Sequence, residues 1–181
     1  MIKVYTKKRK EKFVRMRSSS LEQELENFVI QEQEKYYRLA YSYVKNADDA
    51  LDIVQESIYK AVASIDSLKN PGYIKTWFYR IVVNTALDFL RQSKKVVIVE
   101  EEVLSGFSES KVDTYADLDL QRAMEKLPLS YRSIIVLRFF EDLKIEEVAE
   151  VLDVNVNTVK TRLYKALEKL RLEIKNQNEG D

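Results

Sequence analysis

From Leu21 to Ser93 the apolar residues return at helical intervals. A first segment carries Phe28, Tyr36, Leu39, Ala40, Tyr43 and Val44, and ends near Lys45-Asn46, where asparagine tolerates a left-handed turn. The second is predicted to begin with Asp48 as its N-cap and to bury Leu51, Val54, Ile58, Ala61, Val62 and Ile65. Its opposite face is polar: Asp48, Asp52, Gln55, Glu56 and Tyr59. Asn70-Pro71-Gly72 breaks that helix, and a long one from about Tyr73 to Arg91 follows. Ile74, Trp77, Phe78, Ile81 and Phe89 form its apolar side; Lys75, Arg80, Asn84 and Arg91 are polar.

Residues 94–116 lose this periodicity and read as a linker. Val96 to Val99 is β-prone, but a lone strand has no partner. Further helices are expected at about Ala116–Lys126, stopped by Pro128, then Ser130–Glu141, Ile145–Leu152 and Asn157–Asn176. The expected fold is all-α, with two small helical domains (21–93 and 117–176) joined by a flexible acidic linker (94–116) and preceded by a basic extension (1–20).

The strongest local pattern is KIEEVAEVLDVNVNTVKTRLYKALEKLR, Lys144 to Arg171. Val148, Ala149, Leu152 and Val154 make one apolar face. After the break at Asp153 to Val156, Val159, Leu163, Ala166, Leu167 and Leu170 resume at helical spacing. Two short helices crossing steeply fit this pattern, as in a helix-turn-helix. Asn157 is the expected N-cap of the second helix. Removing the apolar stripe leaves Thr158, Lys160, Thr161, Arg162, Tyr164, Lys165 and Lys169 outward. Such residues can donate to guanine acceptors, offer a methyl to thymine and hold phosphates. The same spacing also describes an ordinary amphipathic hairpin with a solvated basic face; the hydroxyl-bearing, cationic second helix favours DNA. Asp153 stands where this motif commonly has Gly, and Lys144 opens the first helix without a Ser, Thr or Asp cap, although Glu146 and Glu147 suit its dipole.

Composition narrows the chemistry. Three Gly and two Pro in 181 residues favour long helices. The absence of Cys and His removes thiolate and imidazole nucleophiles, bases and metal ligands. No short acidic motif stands out as a magnesium site, so no enzyme activity, metal, cofactor or small-molecule substrate is expected. No apolar run approaches the roughly 20 residues that span a bilayer, and the basic N-terminus lacks a signal-peptide core, so a cytoplasmic location is expected. Net charge is zero but segregated. Residues 3–17 hold Lys3, Lys7, Lys8, Arg9, Lys10, Lys12, Arg15 and Arg17 against Glu11, whereas 100–119 hold seven acids against Lys111. Segregation of this kind implies separate surfaces for separate partners.

Three motifs together resemble bacterial RNA polymerase sigma factors of the extracytoplasmic-function (ECF) group of the sigma-70 family, over about Leu25 to Lys175. YRLAYSYVKNADDALDIVQESIYKA (Tyr37 to Ala61) resembles the helix pair that docks on polymerase. SLKNPGYIKTWFYRIVVNTALDFLR (Ser67 to Arg91) resembles the segment that melts and reads the minus-10 element. LPLSYRSIIVLRFFEDLKIEEVAEVLDVNVNTVKTRLYKALEKLR (Leu127 to Arg171) resembles the minus-35 reader. The resemblance implies that Asp52, Gln55 and Glu56 meet the β′ clamp helices of core RNA polymerase, which also engages its β subunit. It implies that the loop from Asp66 to Tyr73 and the helix through Asn84 capture a flipped base of promoter DNA, with Asn70, Tyr73 and Asn84 as candidates. Lys75, Arg80, Arg91, Lys94 and Lys95 would track that strand, while Trp77 and Phe78 pack in the core. Asn157, Thr158, Lys160, Thr161, Arg162, Tyr164 and Lys165 would serve the minus-35 element. The acidic linker would thread the RNA exit path, and an anti-sigma factor is the expected inhibitor; the basic first residues have no assigned role. Two other classes fit parts of the chain: a free-standing helix-turn-helix regulator, which would need a dimerisation helix, and a helical adaptor or toxin-like enzyme, disfavoured by the basic helix.

Overall fold

The computed structural model describes residues 20–97 and 115–178. The basic extension up to residue 19, the acidic linker over 98–114 and the side chains of Lys94 and Lys95 lie outside the described residues. All secondary structure among them is helical.

The first expected segment is two helices, α1 (Ser20–Gln31) and α2 (Gln33–Val44). They divide at Glu32, whose backbone leaves the helical region (φ −104, ψ 16). Lys45, not the neighbouring asparagine, takes the left-handed conformation that ends α2 (φ 56). Asn46 is extended and caps α3 (Ala47–Ser64), its Oδ1 accepting the N–H groups of Asp48 and Asp49 at 2.9 and 3.1 Å. The expected cap at Asp48 is therefore corrected by two residues; Asp48 and Asp49 instead sit in the first turn, where carboxylates suit the helix dipole. Ala50, Ile53, Val54, Ser57 and Ala61 are the buried face of α3, while Leu51, Ile58 and Val62 are only partly covered.

A 3-10 turn (Pro71–Tyr73) is capped by Asn70 Oδ1, which accepts from Gly72 N–H at 3.0 Å, and leads into α4 (Ile74–Val97). That helix runs six residues past the expected end at Arg91, so residues 94–97 of the expected linker are helical. Phe78 is fully buried, meeting Phe28 and Tyr36 edge-on at 5.5 and 5.2 Å between centroids. Tyr36 donates its hydroxyl to Val29 O at 2.6 Å, which satisfies the polar tip inside this core.

The C-terminal helices are α5 (Tyr115–Lys126), α6 (Leu129–Ile135), α7 (Ile145–Leu152) and α8 (Val156–Asn178). Helix α6 does not stay α-helical to Glu141. It widens into a π turn over Val136–Phe140, closed by Glu141 N–H to Val136 O at 3.0 Å. Asp153 ends α7 in the left-handed region (φ 53), the conformation expected at its glycine-like position. Asn155 caps α8 by accepting Asn157 N–H at 2.8 Å, which corrects the expected cap at Asn157. Val148, Val151, Val159, Ala166 and Leu170 fill the helix-turn-helix core, whereas Leu167, expected inside, is 44% exposed.

The two helical units pack on each other, α4 against α7 and α2 against α6. Replacing Phe78 with Ala should lower unfolding free energy by about 3 to 5 kcal/mol, because a fully enclosed ring leaves a cavity. Chemical denaturation monitored by circular dichroism measures it, and a loss under about 1 kcal/mol would contradict this core assignment.

Candidate nucleic-acid interface

In α8 each residue advances about 100° around the axis. Val159, Leu163, Ala166 and Leu170 therefore share one narrow stripe, and all but the half-buried Leu163 are buried. The remaining positions spread over an arc of roughly 200° on the other side. Lys160, Tyr164, Asn157, Thr161, Lys165, Thr158 and Arg162 occupy it in that angular order. Lys160, Thr161, Lys165 and Asn157 are exposed, Tyr164 is 73% exposed, and Thr158 and Arg162 are half-buried at the edge. Every sequence-expected residue of this helix thus lies on one accessible face. Tyr131 of α6 joins it, lining a shallow open depression with Asn157, Thr158, Thr161, Arg162 and Lys165. Sequence reasoning missed Tyr131 because only the packing of α6 across α8 brings it there. The surface combines three cations, hydroxyls, an amide and two aromatic rings, a set suited to phosphates and base edges in a groove.

On the N-terminal unit, Tyr73, Arg80, Asn84 and Arg91 fall on one side of α4 and its entry turn, all exposed. Asn70 is exposed at the head of that turn, its Oδ1 engaged by Gly72 N–H. Arg91 pairs with Asp88 at 2.9 Å. Lys75 departs from this grouping: it lies on the side of α4 that meets the C-terminal unit, and its ammonium donates to Glu141 O at 2.8 Å. Arg80 also leans that way, 3.4 Å from Asp153. On α3, Asp52, Gln55 and Glu56 form one outward stripe with Asp48 and the 67% exposed Tyr59. Glu56 pairs weakly with Lys60 at 3.8 Å across an exposed turn, leaving the acidic character of the stripe intact.

The seam between the units carries unusual electrostatics. Glu141 is fully buried and accepts the Tyr79 hydroxyl at 2.6 Å, with Arg38 at 3.7 Å. Its other oxygen, Oε1, has no hydrogen-bond partner. Burial pushes the Glu141 carboxyl above the usual glutamate range, against the pull of the Tyr79 hydrogen bond and of Arg38, Lys35 and Lys75. Tyr79 is raised too, first by burial and then by Glu141. Further along, Tyr43 is pushed up to about 12 by burial, opposed by the Ser133 hydroxyl and Arg132. Arg132 is itself buried with Nε and Nη1 unpartnered. Lys45 donates to Glu125 O at 3.0 Å beside it. Among the described residues no cluster of carboxylates or other ligands could hold a metal ion, and no helix is long and apolar enough to cross a membrane.

An exposed cationic helix packed against a second, shorter helix across a tight turn defines a helix-turn-helix protein of the DNA-binding class. Residues 28–96 match the family described as Sigma-70 region 2, and 117–170 match Sigma-70, region 4. The chain is 54% identical over 143 residues to RNA polymerase sigma factor SigV of Bacillus subtilis (strain 168), covering 79% of this chain and 86% of that one. It is 32% identical over 158 residues to ECF RNA polymerase sigma factor SigW of the same organism, covering 79% and 84%. Its fold is shared with sigma factor RpoE of Bartonella quintana, solved with the anti-sigma factor NepR: TM-score 0.73, 22% identity, covering 83% of this chain and 96% of that one. The chain belongs to the extracytoplasmic-function group of sigma-70 RNA polymerase sigma factors. It is an alternative sigma factor that directs promoter-specific transcription, and a free-standing regulator is not favoured.

Because the native carboxyl of Glu141 holds its proton to higher pH than an unfolded one, its contribution to stability is complete below the ordinary glutamate value. It is lost as pH rises through the native value. Unfolding midpoints in denaturant should therefore fall as pH rises above the ordinary glutamate value, and Glu141→Gln should flatten that slope. An unchanged slope in the variant would show that another group titrates.

Proposed function

We propose that the chain grips core RNA polymerase with its N-terminal domain (21–93) and reads promoter DNA with both domains. The observation that carries this is the arc on α8, where all seven candidate side chains share one accessible face opposite the buried stripe. Lys160, Thr161, Tyr164 and Lys165 meet base edges of the minus-35 element in the major groove, with Asn157, Thr158 and Arg162 at its phosphates. The C-terminal domain (117–176) is thereby a duplex reader that also rests on the polymerase β subunit.

Asn70, Tyr73 and Asn84 take the unstacked base of the minus-10 element, using an amide, an exposed ring and the turn backbone. Lys75, Arg80 and Arg91 follow the strand's phosphates. Asp52, Gln55 and Glu56 dock on the β′ clamp helices, a fixed acidic stripe against a basic coiled coil. The linker threads the RNA exit path, its carboxylates standing in for nucleic acid. Strand opening then draws on binding and base capture, with no enzymatic step in this chain, and the protein works in the cytoplasm. An anti-sigma factor is its inhibitor, a reading supported by the sigma factor of like fold solved in such a complex.

Lys160→Glu with Lys165→Glu should abolish promoter-specific run-off transcripts from a genomic DNA library while core polymerase affinity stays within twofold. Loss of both activities would overturn the division of labour between the domains. Gln55→Lys with Glu56→Lys should weaken core polymerase binding at least tenfold in a direct binding titration, and an unchanged affinity would remove α3 from that contact.

A further inference from the structure

The depression beside the arc of α8 is built from two helices. Tyr131 comes from the first turn of α6, and Asn157, Thr158, Thr161, Arg162 and Lys165 from the N-terminal half of α8. Its polar groups are three hydroxyls, an amide and two cations, and no carboxylate lines it. Among the described residues, no hydrogen bond or ion pair engages the side chain of any of the six. Other surface cations are paired: Arg80, Arg91, Lys126 and Arg138 sit 3.4, 2.9, 2.7 and 3.7 Å from a carboxylate. A concave set of donors left unspent selects an anion, and its shallow, open form suits a strand lying across it.

We infer that Tyr131 is a DNA-contact residue: its phenolic hydroxyl and the Arg162 guanidinium hold one backbone phosphate of the minus-35 duplex, from outside the recognition helix. The inference deepens, and rests on, the assignment of α8 to that duplex made above. Thr158 and Arg162 are half-buried at the edge of the arc that Tyr131 adjoins, whereas Thr161 and Lys165 are exposed further round. With the middle of the arc at base edges, its margin meets the wall of the groove, where the phosphates run. Phosphate contacts fix register and carry no sequence information. Tyr131 thus sets where α8 sits along the groove and leaves the bases to Lys160, Thr161, Tyr164 and Lys165.

The phenol is placed in advance. Pro128 O accepts the Tyr131 and Arg132 N–H groups at 2.9 and 3.0 Å, which fixes the first turn of α6, and the Tyr131 ring is partly buried against the core. A rigid ring with one polar tip loses little freedom when it meets a ligand. Arg162 adds a permanent charge on a planar fork that matches phosphate.

Tyr131→Phe removes the hydroxyl and keeps the ring. Holoenzyme assembled from the full chain and core polymerase is titrated with a promoter duplex recovered by run-off from a genomic library. The variant should bind about tenfold more weakly, the worth of one hydrogen bond to a charged acceptor, with its ranking of minus-35 base substitutions unchanged. The same duplex, carrying a neutral methylphosphonate at one minus-35 position at a time, locates the contact. At one position the neutral linkage should cost the parent several times more affinity than it costs Tyr131→Phe, and Arg162→Gln should lower the sensitivity at that same position. Affinity equal to the parent's, an altered base preference, or no position at which the two proteins differ would overturn the contact. A hydroxyl needed only for folding would lower the unfolding midpoint of Tyr131→Phe and leave every position equally sensitive, which also overturns it. So would a midpoint raised by inorganic phosphate in the parent and not in Tyr131→Phe without any sensitive position on the duplex, because the seat would then belong to a free anion. Lys160→Glu with Lys165→Glu separates this contact from the assignment it rests on. Undiminished duplex binding by that variant would remove α8 from the minus-35 element, whereas its failure to bind beside a normal Tyr131→Phe would remove Tyr131 alone.

Discussion

Helix α4 must satisfy three neighbours at once, and the arrangement of the whole molecule follows from that constraint. Phe78 closes the N-terminal core against Phe28 and Tyr36, while the next residue, Tyr79, is turned toward Glu141 of the other domain. Around the axis from both, Arg80, Asn84 and Arg91 stay in solvent. No stretch of α4 is free to drift, because rotating it to improve one contact would break another.

Three of the reversals among the described residues take very few residues, and asparagine is the means. Asn46, Asn70 and Asn155 each place a side-chain oxygen on the free N–H groups opening the following helix or turn. Left-handed residues precede or flank them, at Lys45 and Asp153, where other chains would use glycine. Such a scheme explains how 181 residues manage on three glycines and still fold back repeatedly.

Periodicity exposed the helices and the outward face of α8 because each depends on local spacing alone. Ile145–Leu152 was legible to the residue, since Glu146 and Glu147 open it and Asp153 closes it. The caps were misassigned by two residues, at Asp48 and Asn157, because asparagine and aspartate cluster at both starts and spacing does not say which side chain bends back. The division of α1 from α2 and the π turn after α6 left no periodic trace: each shifts the phase of a stripe by a single residue. Long-range packing was out of reach altogether. Tyr131 beside the α8 arc, Lys75 against Glu141 O and the burial of Glu141 all depend on how distant helices meet, and a glutamate next to Asp142 reads as surface.

The π turn at Val136–Phe140 sets a gauge on chain length. It holds one residue more than an α turn, and the residue immediately beyond is the buried Glu141. Removing any one residue there would let ordinary helical winding return and swing that carboxylate about 100° around the axis, off Tyr79. An insertion or deletion of one residue here would unfasten the domains through Glu141 as well as disturb Val136 and Leu137, which are buried in the core.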